Sequence, residues 1–310
     1  MPDFSQFLNE ASTMASQVDM LFFTLLAMSV AVVVVIAGLI VYFGYKYRRR
    51  PENLVADQIQ GSMRLEIAWS VIPLLIAMGI FVWGARLYFE MASPPAQARD
   101  VYVVAKQWMW EFQHQDGMRE INALHVPLGE PVRLTMVSQD MIHSFFVPAF
   151  RVKQDVLPQR YTTAWFQATQ PGTYHLFCAE YCGTLHSGMV GDVVVMAPQD
   201  FQTWSSQGDA ETPAEAGEHL FAQFGCINCH KADNSGRGPA LAGVFGRTVT
   251  FADGTTTVAD ENYIRESILN PDAHVVKGYE PIMPSFQGQL NEDQLLQLLA
   301  YIKSLGAKQP

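Results

Sequence analysis

Two long stretches without a single charge limit what this chain can become more than any other feature. Leu21 to Tyr45 holds 25 uncharged residues and Ile67 to Ala85 holds 19. A helix needs about 20 mainly apolar residues to cross a hydrocarbon layer of roughly 30 Å, so both qualify as spans, at about 21–45 and 67–89. Pro73 falls near the start of the second, where a membrane helix tolerates it. The first run does not read as a secretory signal. Its basic residues follow the apolar run, the run is too long, and no small-x-small cleavage site appears. The connecting loop carries Lys46, Arg48, Arg49, Arg50 and Arg64, whereas residues 1–20 carry no Lys or Arg. Basic flanks stay in the cytoplasm. Residues 1–91 are therefore expected to form a two-helix hairpin in membrane lipid, with both termini and everything after about Met91 on the outer side.

The chain has 20 basic and 30 acidic residues, a formal charge of −10, which argues against nucleic acid as a partner. Nine of those ten net charges lie beyond residue 91. An acidic exported surface suits a basic protein partner, and it equally serves solubility. From 92 to 198 the pattern is strand-like: Val101–Ala105, Val132–Val137, Tyr161–Gln167, Tyr174–Phe177 and Val190–Met196 are β-branched or aromatic runs broken by Gly/Pro turns. Short strands at this spacing predict an antiparallel sandwich or barrel. A polar, turn-rich linker is expected over 199–213. From 214 to 310 the period becomes helical, with helix candidates at 215–224 and 262–269. Leu295, Leu298, Leu299, Ile302 and Leu305 mark one face of a last helix capped by Asn291 and stopped at Gly306.

The chain has four cysteines, and their spacing matters more than their number. FCAEYCGTLHSGM sets Cys178, Cys182, His186 and Met189 in a C-x3-C-x3-H-x2-M run between two predicted strands. Thiolates and thioethers select copper, and imidazole suits it too. One cysteine suffices for a single copper; two cysteines four apart could bridge a pair of metal ions, with one histidine completing each. A structural zinc site, a Cys178–Cys182 disulfide and a membrane-anchored copper-handling protein are the other readings of this spacing.

That loop, with DMIHSFFVPAF at 140–150, resembles subunit II of the haem–copper cytochrome c oxidases, and the likeness spans residues 20–198. The resemblance implies a cupredoxin-like domain whose binuclear copper centre, CuA, is held by His143, Cys178, Cys182, His186, Met189 and the Glu180 backbone carbonyl. It also implies a magnesium ion bound by the Glu180 side chain at the interface with subunit I. KQWMWEF at 106–112 resembles the family's aromatic patch, making Trp108 the residue that accepts electrons from cytochrome c. Met109 stands where the family usually has tyrosine, and a pair of core aromatics on one strand would look the same. MRLEIAW at 63–69 resembles the start of the family's second helix, which places Glu66 at a proton-channel mouth; an acid at a helix start also simply favours the positive end of the dipole. KQDVLPQR at 153–160 resembles a segment that docks on subunit I, with Gln159 where the family usually has glycine.

FGCINCHKA contains C-x-x-C-H, the attachment signature of a c-type haem. Cys226 and Cys229 would form the thioethers and His230 would be an axial ligand. Methionine as the sixth ligand raises the haem potential, and Met283 lies in a loop before the last helix. The segment resembles class I cytochromes c over 214–306, with Pro239 offering its carbonyl to His230. The composite resembles a caa-type cytochrome c oxidase subunit II, a bacterial inner-membrane protein with a fused cytochrome c that docks near Trp108. It implies electron transfer from a cytochrome c or a quinol–cytochrome c reductase through haem c and CuA to the haem of subunit I. The alternatives are the electron-input subunit of a CuA-type nitric oxide reductase and a membrane-anchored carrier without a catalytic partner.

Overall fold

The structure is a computed structural model that describes residues 9–50, 61–206, 211–232 and 235–307. It divides into a membrane-type unit, Met14–Ser93, and a second unit built from the residues before and after it.

In the first unit, α1 (Ala15–Lys46) and α2 (Met63–Ala92) run 32 and 30 residues. At 1.5 Å per residue each is longer than the roughly 30 Å of a hydrocarbon core. Their apolar side chains face outward, with Val33, Val41, Leu75 and Phe81 all more than 60% exposed. Gln17 near the start of α1 donates to Glu90 near the end of α2 at 3.5 Å, which fits an antiparallel pair. Pro73 differs from expectation. Because α2 begins at Met63, Pro73 is an interior residue of the helix and not part of its first turn. Lys46 sits 5.4 Å and 5.3 Å from the rings of Tyr42 and Tyr47, and Arg48 4.5 Å from Tyr45, a cationic and aromatic collar of the kind found at a membrane surface.

The second unit opens with ten strands: β1 (Arg99–Lys106), β2 (Met109–His114), β3 (Arg119–Ile121), β4 (Ala123–Pro127), β5 (Pro131–Ser138), β6 (His143–Val147), β7 (Val152–Val156), β8 (Thr162–Gln167), β9 (Gly172–Cys178) and β10 (Val190–Met196). They form two sheets, ordered β3-β2-β1-β5-β8 and β4-β10-β9-β6-β7. The sandwich is not purely antiparallel: β1 pairs with β5, and β10 with β4, in parallel. Neighbours that come from different hairpins need not alternate in direction. Trp110, Phe112, Leu134, Phe145, Phe166 and Leu176 fill the space between the sheets and are fully buried.

Residues 9–13 belong to this sandwich. Ala11 is completely buried in its core, its amide donates to Ala149 O at 2.9 Å, and Thr13 N donates to Gln167 O at 3.1 Å. The short strip continues the edge at β8, where unpaired backbone would otherwise be exposed.

The stretch expected as a linker begins with α3 (Pro198–Ser205), whose Phe201 is buried; residues 207–210 lie outside the described residues. Trp204 of α3 stacks on His125 at 4.7 Å. His125 and His114 both bind Glu120, the latter at 2.8 Å. Burial would raise the Glu120 carboxyl, but these hydrogen bonds and one from the His125 amide outweigh it and hold the group below the usual range. A carboxylate with a depressed pKa adds stability above its unfolded value, near 4.3, and loses it as pH falls through the folded value. Glu120→Gln is therefore expected to destabilise the sandwich by about 1.5–3 kcal/mol at pH 7. The deficit should shrink below about pH 4, and Trp204 fluorescence during denaturation would follow it.

The last part contains α4 (Pro213–Gln223), a short hairpin of β11 (Thr248–Thr250) and β12 (Thr256–Val258), α5 (Glu261–Leu269) and α6 (Glu292–Ala307). The hairpin departs from an all-helical expectation, and α6 runs through Gly306 instead of stopping there. Thr212 and Glu215 form a capping box at α4, and Asn291 and Gln294 exchange bonds at the start of α6. The two helices cross at Gly217, where a Cβ would stand 2.0 Å from Gln297 O, so only glycine allows the approach. This helical part packs on the outer face of the first sheet: Tyr102, Val104, Val137 and Tyr161 join one apolar cluster with Ile264, Leu295 and Leu299. Strand β1 is thus buried on both faces and leads, through Lys106, towards Trp108.

Candidate metal centres

One end of the sandwich gathers the first donor set. His143 opens β6, Cys178 closes β9, and the loop between β9 and β10 carries Cys182, His186 and Met189. The Sγ atoms of Cys178 and Cys182 are 3.7 Å apart. That is too far for the roughly 2.05 Å of a disulfide, yet close enough for both thiolates to bridge metals through bonds of about 2.3 Å. His143 Nδ1 is 3.9 Å from Cys178 Sγ, His186 Nδ1 is 3.5 Å from Cys182 Sγ, and Met189 Sδ is 3.8 Å from the same sulfur. The Glu180 carbonyl lies 3.3 Å from Cys178 Sγ, and the Glu180 side chain is exposed. All six expected donors therefore converge, and two thiols, two imidazoles and a thioether are a soft set that suits copper.

The thiols are not equivalent. Burial opposes ionisation of Cys178, but hydrogen bonds from His143 and from the backbone at Glu180 and Ser144 outweigh it and bring its pKa down. Burial and the charge on Cys178 push Cys182 up.

Asp140, which the motifs do not single out, touches the donor set. Its Oδ1 lies 2.7 Å from His143 Nε2 and its Oδ2 accepts from Gln107 N at 2.7 Å, so the carboxylate fixes the ring with Nδ1 turned to the thiols. Its signal was an acid three residues before the histidine. Such outer carboxylates typically contribute 10–100-fold to metal affinity. Asp140→Ala is expected to weaken copper binding by about that factor, measurable by competition with a chelator.

Trp108 is half-buried against the sandwich core, and its indole donates to Cys182 O at 3.1 Å. Gln107 Nε2 donates to the same carbonyl at 2.9 Å. Gly183 has φ +111°, and a Cβ there would meet Gln107 Nε2 at 2.9 Å, so the loop closes on Trp108 only with glycine. Trp110 is the core aromatic of the pair. Glu66 is an exposed acid in the first turn of α2.

The second donor set lines a cavity of about 410 Å³ in the helical part. Gly225, at φ +73°, turns the chain into a single helical turn over Cys226–Asn228, which presents Cys226, Cys229 and His230 on one wall. His230 Nδ1 donates to Pro239 O at 2.8 Å, leaving Nε2 as the ligand atom. A Cβ on Gly238 would stand 2.8 Å from the His230 ring, so the glycine keeps the ring's place. Met283 lines the cavity from the loop between α5 and α6, with Phe221, Ile264, Phe286 and Leu298 around it. An apolar cradle with C-x-x-C-H on its wall and a methionine on its lining fits a covalent haem.

Sequence profiles of known families match the chain in three consecutive pieces. They are the transmembrane domain of cytochrome c oxidase subunit II over 3–87, its periplasmic domain over 99–197, and cytochrome c over 214–306. The cytochrome c oxidase subunit 2 of Thermostichus vulcanus is 31% identical over 255 residues, 65% of this chain and 78% of that one. The subunit 2 of Alkalihalophilus pseudofirmus is 29% identical over 303 residues, 93% of this chain and 86% of that one. The subunit 2 of Bacillus sp. strain PS3 is 29% identical over 287 residues, 84% and 80% of the two chains.

Proposed function

The chain belongs to the cytochrome c oxidase subunit II family and carries a cytochrome c domain after the copper-type domain, and from that premise we propose the roles of its residues in electron input. It is the electron-input subunit of a membrane-anchored terminal oxidase, assembled with other oxidase subunits. When bound, the copper pair and the haem each gain and lose one electron. The observation that carries the reading is the partition of all four cysteines into two thiol pairs, each inside a matching donor set.

In the copper-type site, Cys178, Cys182, His143, His186, Met189 and the Glu180 carbonyl would hold the copper pair, which would supply one-electron redox chemistry. Asp140 holds His143 in its tautomer. The external donor reduces the haem domain; Trp108 is the electron entry to the copper-type site, and its bond to the Cys182 carbonyl connects the indole to that cysteine. In the haem domain, Cys226 and Cys229 would anchor a haem, His230 and Met283 would hold its iron, and Pro239 keeps His230 oriented. Glu66 serves proton uptake at the start of α2, and the exposed Glu180 carboxylate takes part in a magnesium site against subunit I. The donor is a cytochrome c or a quinol–cytochrome c reductase, attracted by the acidic exported surface.

The orientation follows from two supports. The cationic collar of Lys46 and Arg48 marks a cytoplasmic loop, and residues 9–13 are woven into the sandwich, so the N-terminal segment shares its side. The test is to purify the chain with its partners. It should show c-type haem bands, the mixed-valence signal of a copper pair, and oxygen consumption driven by reduced cytochrome c. A mononuclear copper or zinc site, or turnover of nitric oxide in place of oxygen, would remove the reading.

A further inference from the structure

The outer face of the first sheet is built to be covered. Strand β1 is buried without a break from Asp100 to Ala105, so the residues that point away from the sandwich core are as dry as those that point into it. Tyr102 and Val104 are each 3% exposed, and Val137 on the neighbouring β5 is completely buried. An apolar sheet face of this kind is stable in water only under a cover. Charges close the dock at one end. Lys303 Nζ of α6 lies 2.9 Å from Glu261 Oε1 of α5 and 3.7 Å from Asp100 Oδ2 of β1. The same Asp100 oxygen accepts from Arg133 Nη2 of β5 at 2.7 Å. The Lys303 and Asp100 side chains are only 14% and 10% exposed, so this lysine is a buried tie between helix and sheet.

The helices that form the cover are also the wall of the haem-domain cavity. On α5, Ile264 and Ile268 line the cavity, and on α6, Leu298 and Ile302 do. Leu295, Leu299 and Lys303 form the adjoining stripe of α6 at four-residue spacing, and Lys303 brings that stripe to β1. Tyr102, Val104 and Val137 fall in one apolar cluster with Ile264, Leu298 and Ile302, so a single layer of helix stands between the haem space and the sheet. A haem filling the cavity of about 410 Å³ supports that layer from behind. Without it, four apolar side chains lose their packing on one side. The cost of a hole rises with its volume, and one of this size outweighs the marginal stability of a small domain.

We propose that the outer face of the first sheet is a haem-dependent interface: the C-terminal part covers it only when loaded, and a chain without haem carries an open apolar face on its copper-type domain. The proposal rests on the haem reading above. Haem binds the folded C-terminal part and not the unfolded one, so it stabilises that part by linkage. The sheet face shares the gain because the same two helices form both contacts. By reciprocity, the sheet supports the haem pocket in turn.

The test compares the full-length chain with haem attached and the full-length Cys226→Ala, Cys229→Ala chain prepared free of haem. Side-chain exposure is read by hydroxyl-radical oxidation and mass spectrometry, at Tyr102 for the covered face and at Phe112 for the space between the sheets. Tyr102 should oxidise about tenfold faster or more in the haem-free chain, as a side chain that is 3% exposed becomes open to solvent. Phe112 should stay protected, which separates loss of the cover from unfolding of the sandwich. Lys303→Met in the haem-loaded chain should keep the c-type bands, because Lys303 faces Asp100 and Glu261 and not the cavity, and should raise Tyr102 oxidation. In the haem-free chain the same substitution should add nothing, because the contact it serves is already open. The comparison of loaded and haem-free chains stands by itself where Lys303→Met fails to fold. A Tyr102 equally protected with and without haem overturns the proposal. So does an equal effect of Lys303→Met in both chains, or a rise at Phe112 as large as that at Tyr102. An unaltered chain that acquires no c-type bands overturns the haem reading itself, whatever Tyr102 shows.

Discussion

Replacing Cys182 with serine is expected to abolish the two-copper signature and to lower oxygen consumption by the assembled oxidase by about 100-fold or more. Cys182 is the centre of its cluster, within 3.8 Å of Cys178, His186 and Met189 and completely buried. Serine nearly preserves shape, so the loss is chemical. A hydroxyl is a hard donor with a much higher pKa, and it cannot act as the second soft bridge. Removing Asp140, which touches only a ligand, is worth 10–100-fold in affinity, so removing a bridging ligand must cost more. The haem bands should remain, because Cys226 and Cys229 sit in another core. A mixed-valence signal that survives in Cys182→Ser would show that the two thiols do not both bridge.

Met283→Ala should leave the haem attached and change its potential. Attachment depends on Cys226 and Cys229, and His230 is still held by Pro239, so c-type bands persist. Methionine as the axial partner raises the potential, and axial ligands as a class span roughly 0.8 V. A downward shift on the order of 0.1–0.3 V is therefore expected, a fraction of that span. At about 59 mV per tenfold for one electron, the external donor then faces an equilibrium some two to five powers of ten less favourable. Redox titration reads the shift directly. An unchanged midpoint would take Met283 off the iron, and the steady-state reduction level of the haem should fall in parallel with turnover.

What the linear sequence disclosed was what sequence-local chemistry can disclose. The spans are runs of residue type, the thiol pairs sit within a few positions of their histidines, and the last helix carries its own periodicity and cap. Strands such as β2, β4 and β6 were less visible. WEFQH and ALHVP mix polar and apolar residues because His114 and His125 bind Glu120 under α3. Asp140 is not legible in the sequence because its contacts depend on a fold that brings Gln107 and His143 to the same carboxylate, 33 and 3 residues away. The dock on β1 did leave a trace. The unbroken apolar run at 101–105 fits a strand covered on both faces, which a sandwich with one solvated side would not need. Gln159 stands where the family usually has glycine and still takes the glycine-favoured φ of +62°, its carbonyl accepting from Arg265, a long-range contact that sequence does not show.

The strip at 9–13 makes the domain a reader of its own insertion. Ala11 and Thr13 complete the edge next to β8, and they can do so only when the segment ahead of α1 stands on the same side as the segment behind α2. An insertion in which only one of the two helices crosses leaves the sandwich with a missing core residue and an open strand edge, the kind of surface that aggregates. Correct topology is thereby tied to domain stability, and a misinserted copy is marked by its own incomplete fold before any partner subunit meets it.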